Sequence, residues 1–380
     1  MIKRNTKQYI PLSEFITEYS ERNTENKYSP VAVGKYGIRS RESIYSKELA
    51  SDYSKNKLIY KNTLTVGMGS KQIDVGVLLD NITYSVSPAY HTYKITNINA
   101  KYLDYCIQCR NQDMFNRFVK RGSRQGKNVD LKRWLTYEIP VYDEKSQAEI
   151  VDYLNRAHSL VELRQNQLEK MDVLVKSRFV EMFEYDIERS DLTISDVAEE
   201  STVGIANSAT HAYSDSGVVM LRNQNIRINH LDDSDLIYIK KEFADKYKNK
   251  ELQENDILVT RTGANVGMAC IVPEKYVGCQ TFTTLILRLR KDICISPVFV
   301  CHYINSPIGK AFVDENKMGG GQPNFGAKQL STMPIVIPDK IKQENFEAFV
   351  QQVDKSKVAV QKSLDETQLL FDSLMQKYFG

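Results

Sequence analysis

The chain has 380 residues, 42% of them hydrophobic and 26% charged, with a net charge of +3, which suits two or three folded domains, each with its own core. No run of eighteen apolar residues is present, which excludes a membrane-spanning helix, and Met1-Ile-Lys-Arg leads into no apolar stretch, so a cytoplasmic protein without a secretory signal is expected. Cys106, Cys109, Cys270, Cys279, Cys294 and Cys301 complete no zinc-ligand spacing and read as buried, reduced thiols.

Residues 1–143 hold 23 basic and 14 acidic side chains, a net of +9 that suits a polyanionic partner. Their periodicity is short and mixed. Tyr9 to Ile16 reads as a strand or tight bend leading into a helical turn, and Val31–Val33, Leu64–Val66, Val75–Leu79 and Ile82–Val86 read as strands. Ala100–Val119 has helical spacing. Arg121–Asn128 reads as a polar, glycine-containing loop, and Leu131–Val141 as extended chain ending in Ile139-Pro140.

From Glu144 to Phe183 there is neither glycine nor proline, and residues 144–185 read as one long helix. Steps of four and three pick out a seam of Ile150, Leu154, Ala157, Val161, Arg164, Leu168, Met171, Val175, Arg178 and Met182. Adding 196 to each number gives Phe346, Val350, Val353, Lys357, Val360, Leu364, Thr367, Phe371, Leu374 and Tyr378, so residues 339–380 read as the same helix written again. One such helix reads as a plain surface coiled coil. Two in fixed register read as helices made to pack on each other. An approximate two-fold across them makes that packing antiparallel.

Residues 186–338, with 16 basic and 19 acidic side chains (net −3), run through the elements of the first domain again. Leu49–Leu64 matches Phe243–Leu258 at a constant offset of 194, and Gly69 falls on Gly263. The loop Arg121–Asn128 answers Gly319–Asn324, and Ile139-Pro140 answers Ile337-Pro338. The predicted fold is therefore α/β (α+β): two similar mixed domains, 1–143 and 186–338, each followed by a long helix, 144–185 and 339–380. The two helices pair as an antiparallel coiled coil with pseudo-two-fold symmetry.

Catalytic signatures are missing. The sequence has no phosphate-binding Gly-x-x-x-x-Gly-Lys-Ser/Thr loop and no Asn/Asp-Pro-Pro-Tyr/Phe methyl-transfer loop, and its five histidines are scattered. No catalytic residue, metal or cofactor is expected. Three polar turns stand out instead, two of them in matched positions of both halves. Glycines there let main-chain N–H groups approach phosphates, while Arg, Lys, Gln and Asn can reach phosphates or base edges. The candidate DNA contacts are Arg39, Ser70, Lys71, Arg121, Arg124, Lys127 and Asn128 in the first half. In the second they are Arg222, Arg227, Arg261, Thr262, Asn265, Lys317, Gln322, Asn324 and Lys328. A single such loop reads equally as a surface connector; its recurrence at one place in both halves points to a shared role.

These loops, the Ile-Pro strand end, the Gln147 or Gln343 opening of each helix and the closing Ser177-Arg-Phe-Val-Glu-Met-Phe183 resemble the DNA-specificity subunit of type I restriction–modification enzymes over essentially the whole chain. The resemblance implies a non-catalytic subunit whose two target-recognition domains each read half of a split, asymmetric site in double-stranded DNA. It also implies partners: two methyltransferase (modification) subunits docked on the helices, and restriction subunits in the full complex. The net negative second domain is a departure from a uniformly basic reader. Two further readings stand beside this one: a helical-scaffold module for protein–protein interaction, and a specificity subunit of a related system without a separate nuclease subunit.

Overall fold

The computed structural model describes residues 7–34, 37–41, 52–122, 126–187, 191–206, 209–319, 321 and 323–380. The chain divides into two units, residues 1–165 with 361–380 and residues 166–360, so each long helix gives one half to each unit.

The first unit opens with strands β1 (Gln8–Pro11), β2 (Ile16–Tyr19), β3 (Val31–Gly34), β4 (Gly37–Ser40) and β5 (Lys57–Ile59). Strands β6 (Thr63–Met68), β7 (Ile73–Leu78), β8 (Tyr84–Val86) and β9 (His91–Ile95) follow. Helix α1 (Ala100–Phe118), the hairpin of β10 (Val119–Gly122) and β11 (Gly126–Val129), helix α2 (Leu131–Trp134) and β12 (Glu138–Val141) lead into the long helix α3 (Glu144–Ile187). The central sheet is antiparallel in the order β2-β9-β6-β7. Helix α1 starts because Asn99 accepts hydrogen bonds from the backbone N–H groups of Lys101 and Tyr102, both at 3.0 Å. Its Tyr102, Leu103, Cys106, Ile107, Met114 and Phe118 are buried in the same core as Leu64, Val66 and Trp134.

Two local expectations change. Within Arg121–Asn128, Arg121 and Gly122 pair with Lys127 and Gly126 as antiparallel strands. Leu131 begins a helical turn before the chain extends, because Asp130 caps the Arg133 N–H and the Trp134 side chain is drawn fully into the core.

The second unit comprises β13 (Leu192–Thr193), α4 (Ile194–Val197), β14 (Ala198–Val203), β15 (Tyr213–Ser214), β16 (Val218–Arg222) and β17 (Ile226–Arg227). Then come β18 (His230–Leu231), β19 (Ile237–Ile239), α5 (Lys241–Ala244), β20 (Ile257–Val259), β21 (Ala269–Ile271), β22 (Gln280–Phe282) and β23 (Leu285–Leu289). Helices α6 (Pro297–Ile304), α7 (Pro307–Asn316) and α8 (Ala327–Ser331), strand β24 (Pro334–Ile335) and the first half of the long helix α9 (Lys340–Phe379) complete it. Its sheet, β14-β23-β20-β21, has the order of the first unit's sheet. A second sheet, β15-β19-β16-β22, is peculiar to this unit among the described residues. Where α1 is continuous, α6 and α7 are separated. Pro307 disfavours helical backbone before it, and Ser306 caps the new helix by accepting from the Gly309 N–H at 3.1 Å.

The repeat holds at the level of single hydrogen bonds. Leu12 N–H donates to the Tyr137 carbonyl at 3.0 Å and Ile194 N–H to that of Met333 at 2.8 Å, so Tyr137 and Met333 are equivalent and the 196-residue offset already holds there. Ile139, paired with Ile10, therefore answers Ile335, paired with Leu192, rather than Ile337 as the Ile-Pro spelling suggests. Asp143 and Asp339 cap α3 and α9 through the Ser146 and Ile341 N–H groups, at 3.0 and 2.8 Å. One turn on, Gln147 accepts from the Asn99 N–H at 3.0 Å and donates to the Tyr142 carbonyl at 2.7 Å. Gln343 accepts from the Ser296 N–H at 2.7 Å and donates to the Pro338 carbonyl at 2.8 Å. Asn99 and Ser296 cap α1 and α6, so one buried amide in each unit ties the long helix to its domain.

Within each unit α3 and α9 run antiparallel. In the second, Asp172 meets Lys357 at 2.6 Å, Phe183 lies 5.5 Å from Phe346 and Asp186 meets Lys342 at 2.5 Å. In the first, His158 lies 5.6 Å from Phe371, while Ile150 and Leu154 share a core with Phe379. Ile150, Leu154, Ala157, Val161 and Val175 are buried, as are Phe346, Val350, Val353 and Val360; Leu168, Met171, Leu364, Phe371 and Leu374 are half-buried. Beyond Val175 the buried positions are Phe179, Phe183 and Ile187, one residue past Arg178 and Met182. Three steps of four replace the alternating steps there, turning α3 toward Phe299 of α6, 5.5 Å from Phe179 and 4.9 Å from Phe183. All six cysteines are free thiols; Cys106, Cys270 and Cys301 are buried, whereas Cys294 is exposed.

Candidate nucleic-acid interface

In the second unit, three turns that lie far apart in sequence meet. Strand β20 is anchored at its start by Asp256, fully buried and held by two 2.8 Å hydrogen bonds from Arg288, which also raise the Arg288 pKa. The strand delivers Thr260, whose hydroxyl accepts from the Met268 N–H at 2.9 Å and closes the turn. Gly263, at φ +91°, takes the backbone conformation that glycine adopts without strain. Arg261 sits on this turn. Its carbonyl accepts from the Phe325 N–H at 2.8 Å, and its Nε donates to Asn324 Oδ1 at 3.1 Å. Thr262 forms a bridge with Asn324, and Asn324 a second with Met318. The third turn joins through Asn223, which accepts from the Arg261 N–H (3.3 Å) and the Thr284 hydroxyl (3.3 Å) and donates to the Thr262 hydroxyl (3.0 Å).

The remaining candidates of this unit play different parts. Arg222 is paired with Asp235 and Arg227 with Asp232, both at 2.9 Å, so these two cations hold the Asn223–Asn225 turn to the loop that follows it. Lys317 is paired with Asp314 at 2.6 Å on an exposed surface. Asn265 is half-exposed, and Lys328 on α8 is exposed. Gln322 lies outside the described residues.

In the first unit, the turn after β6 and the β10–β11 hairpin meet. Lys127 Nζ donates to the Ser70 carbonyl at 2.8 Å and lies 5.4 Å from the centre of the Phe115 ring. Ser70, Lys71 and Asn128 are exposed beside it. Gly67, Met68, Tyr90, Lys127 and Asn128 line a cleft of about 510 Å³. Arg39 is elsewhere, on a separate cavity of about 650 Å³ with Lys101, Asp104 and Glu162. Arg124 and the side chain of Arg121 lie outside the described residues.

Three residues of these surfaces escape sequence reasoning. Lys132 stands on α2 as Lys328 stands on α8, 196 residues apart and equally exposed, so the offset alone identifies it. Asn223 was overshadowed by the arginines of its own turn. Tyr90, whose hydroxyl donates to the Val33 carbonyl at 3.0 Å, has no sequence signal. Among the described residues no group of His, Cys, Asp or Glu is arranged to hold a metal ion, and no helix is long and apolar enough to cross a membrane.

Residues 190–367 match the family described as Type I restriction modification DNA specificity domain. The fold is similar to that of the type I restriction–modification S subunit from M. genitalium, at 13% identity and a TM-score of 0.56, covering 100% of this chain and 98% of that one. It is also similar to a chain from a structure of type I R-M complex assembly and conformational transition, at 15% identity and a TM-score of 0.58, again covering 100% and 98%. No curated protein matches the sequence.

Proposed function

We propose that this chain, which belongs to the type I restriction modification DNA specificity family through residues 190–367, reads a split, asymmetric site in double-stranded DNA with two non-identical domains. The observation that carries the reading is the repeated unit: one sheet order, one set of caps and one glutamine tie appear twice, while the polar turns on the two units differ. Two readers on one frame suit two different half-sites. Phosphate contacts from exposed lysines such as Lys71, Lys132 and Lys328 set affinity, and the ordered turns set sequence. The chain acts without catalysis of its own, in the cytoplasm, and positions two methyltransferase subunits and, in the full complex, restriction subunits.

The test is a map of methylated adenines in a host genome expressing this chain with its modification partners. A single motif of two fixed halves around a fixed gap is expected. A palindromic or unsplit motif would overturn the bipartite reading, and methyl transfer by the purified chain alone would overturn the non-catalytic one. In a salt titration, log K should fall with log salt; DNA binding without salt dependence would favour a protein-binding scaffold.

A further inference from the structure

Arg261 stands apart from the other candidate cations of its unit. Arg222, Arg227 and Lys317 are closed in ion pairs with Asp235, Asp232 and Asp314, and exposed Lys328 has no partner among the described residues. Arg261 is neither neutralised nor loose. Its N–H donates to Asn223, its carbonyl accepts from Phe325, and its Nε donates to Asn324. Among the described residues no carboxylate pairs with it, and no acceptor meets its two Nη nitrogens. The group that orients it is a neutral amide and not a carboxylate.

A guanidinium fixed through Nε presents its two Nη groups as a fork of parallel donors. In the major groove the matching acceptor pair is O6 and N7 of guanine. Phosphates accept from the same fork, but they are met equally well by mobile lysines, of which this surface has its own. Holding one arginine from its main chain on both sides and from its Nε restricts the fork to one direction, which a base edge demands and a flexible backbone contact does not. Thr63 and Asp256 cap the same turn, receiving the Tyr60 and Gln253 N–H groups on their side chains, so the offset here is 193 rather than the 194 read from the sequence; the equivalent position in the first unit is Met68, and this contact belongs to one reader alone. We infer that Arg261 reads a guanine in the half-site recognised by residues 186–338, with Asn324 and Asn223 as positioning residues. The inference rests on the DNA-specificity reading above.

The experiment is the methylation map of the full complex carrying R261A, R261K, N324A or N324D, the half-site of residues 186–338 being identified by exchanging that domain. Both Arg261 variants should leave one G·C pair of that half-site degenerate, with discrimination falling about ten- to a hundredfold there and the other half-site unchanged. Lysine keeps the charge but lacks the fork, so R261K guards against a folding defect in R261A. N324A should relax the same base pair to a smaller degree, and N324D, which closes the guanidinium in an ion pair as Asp235 closes Arg222, should relax it as well. An unaltered motif with uniformly weaker binding and a salt slope reduced by about one would make Arg261 a phosphate contact and overturn the inference. So would degeneracy at an A·T pair or in the other half-site. Absence of any recurrent motif with the unsubstituted chain would instead overturn the DNA-specificity reading.

Discussion

The turns after β6 and β20 occupy the same place on sheets of the same order, yet they solve the problem of presenting a cation in opposite ways. In the second unit the charge is on the turn: Arg261 grows from it and Asn324 orients it. In the first unit the turn has Met68 at that position, the Tyr90 ring lies where a side chain would begin on Gly67 before it, and the nearby cation, Lys127, arrives from the hairpin and donates to the Ser70 carbonyl. Asn128 and Asn324 are 196 residues apart, so the amide is present in both units while its arginine is present in one. A duplicated frame thus carries different side chains on matched turns over sheets of one order.

The comparison is broken most directly by making the two readers the same. Replacing residues 1–143 with a second copy of 186–338 should convert the asymmetric motif into a palindrome of the second half-site, visible in a methylation map. Recovery of the original motif would mean that the halves are not equivalent modules. Next in size is the joint between helices. Phe183→Ala in the second unit should cost about 3–5 kcal/mol and Leu154→Ala in the first about 2–5, while half-buried Leu168→Ala should cost less than either. Chemical denaturation of the complex-free chain measures all three.

The units should also differ in their response to acid. His302 lies on α6 against Phe346, 5.2 Å away, and burial, with a smaller contribution from Lys357, lowers its pKa to about 4. Its counterpart by the cap alignment of Asn99 with Ser296 is Tyr105, which does not titrate in that range. The unfolded chain binds a proton at His302 near pH 6.5 and the folded chain only near 4. The stability linked to this group is therefore fully present above pH 6.5, falls as pH drops through that window, and is lost by about 3 kcal/mol at pH 4. Exchange protection in the second unit should fall more steeply between pH 6.5 and 4 than in the first, and His302→Phe should flatten the difference. Equal slopes would show that His302 is not the cause.

Much of this frame was legible in the sequence, because helices without glycine or proline and a fixed numerical offset survive in a single chain. Gln147 and Gln343 could be recognised as a matched pair opening the helices, though not as ties to the caps of α1 and α6, since their partners lie 48 and 47 residues away. The seam was legible while its steps alternated and drifted by one residue beyond Val175, where the aromatic core around Phe299 turns the helix. The polar turns stand out by composition, but composition counts charges and not their partners. Arg222 and Arg227 read like Arg261 in sequence and differ from it because Asp235 and Asp232 fold back onto them. Asn223, a neutral residue, was passed over although it joins three segments.

Gly67 carries the smallest expected effect. A Cβ placed there would lie 2.3 Å from the Tyr90 ring, whereas the equivalent position in the second unit carries Thr260. Gly67→Ala should therefore force Tyr90 aside, at a cost of about 1–3 kcal/mol in the first unit. Tyr90 cannot move freely, because its hydroxyl donates to the Val33 carbonyl and its own carbonyl accepts from Lys57 Nζ at 2.6 Å. The double variant Gly67→Ala with Tyr90→Ala should recover most of the difference between Gly67→Ala and the parent, when each is compared with its own Tyr90 background. A double-mutant cycle by denaturation isolates that coupling. Coupling near zero would mean that the glycine is retained for another reason. A coupling of about 1 kcal/mol or more would show that the Tyr90 ring fills the space that a side chain at position 67 needs, so that the first unit cannot carry the residue that the second carries as Thr260 without moving this ring.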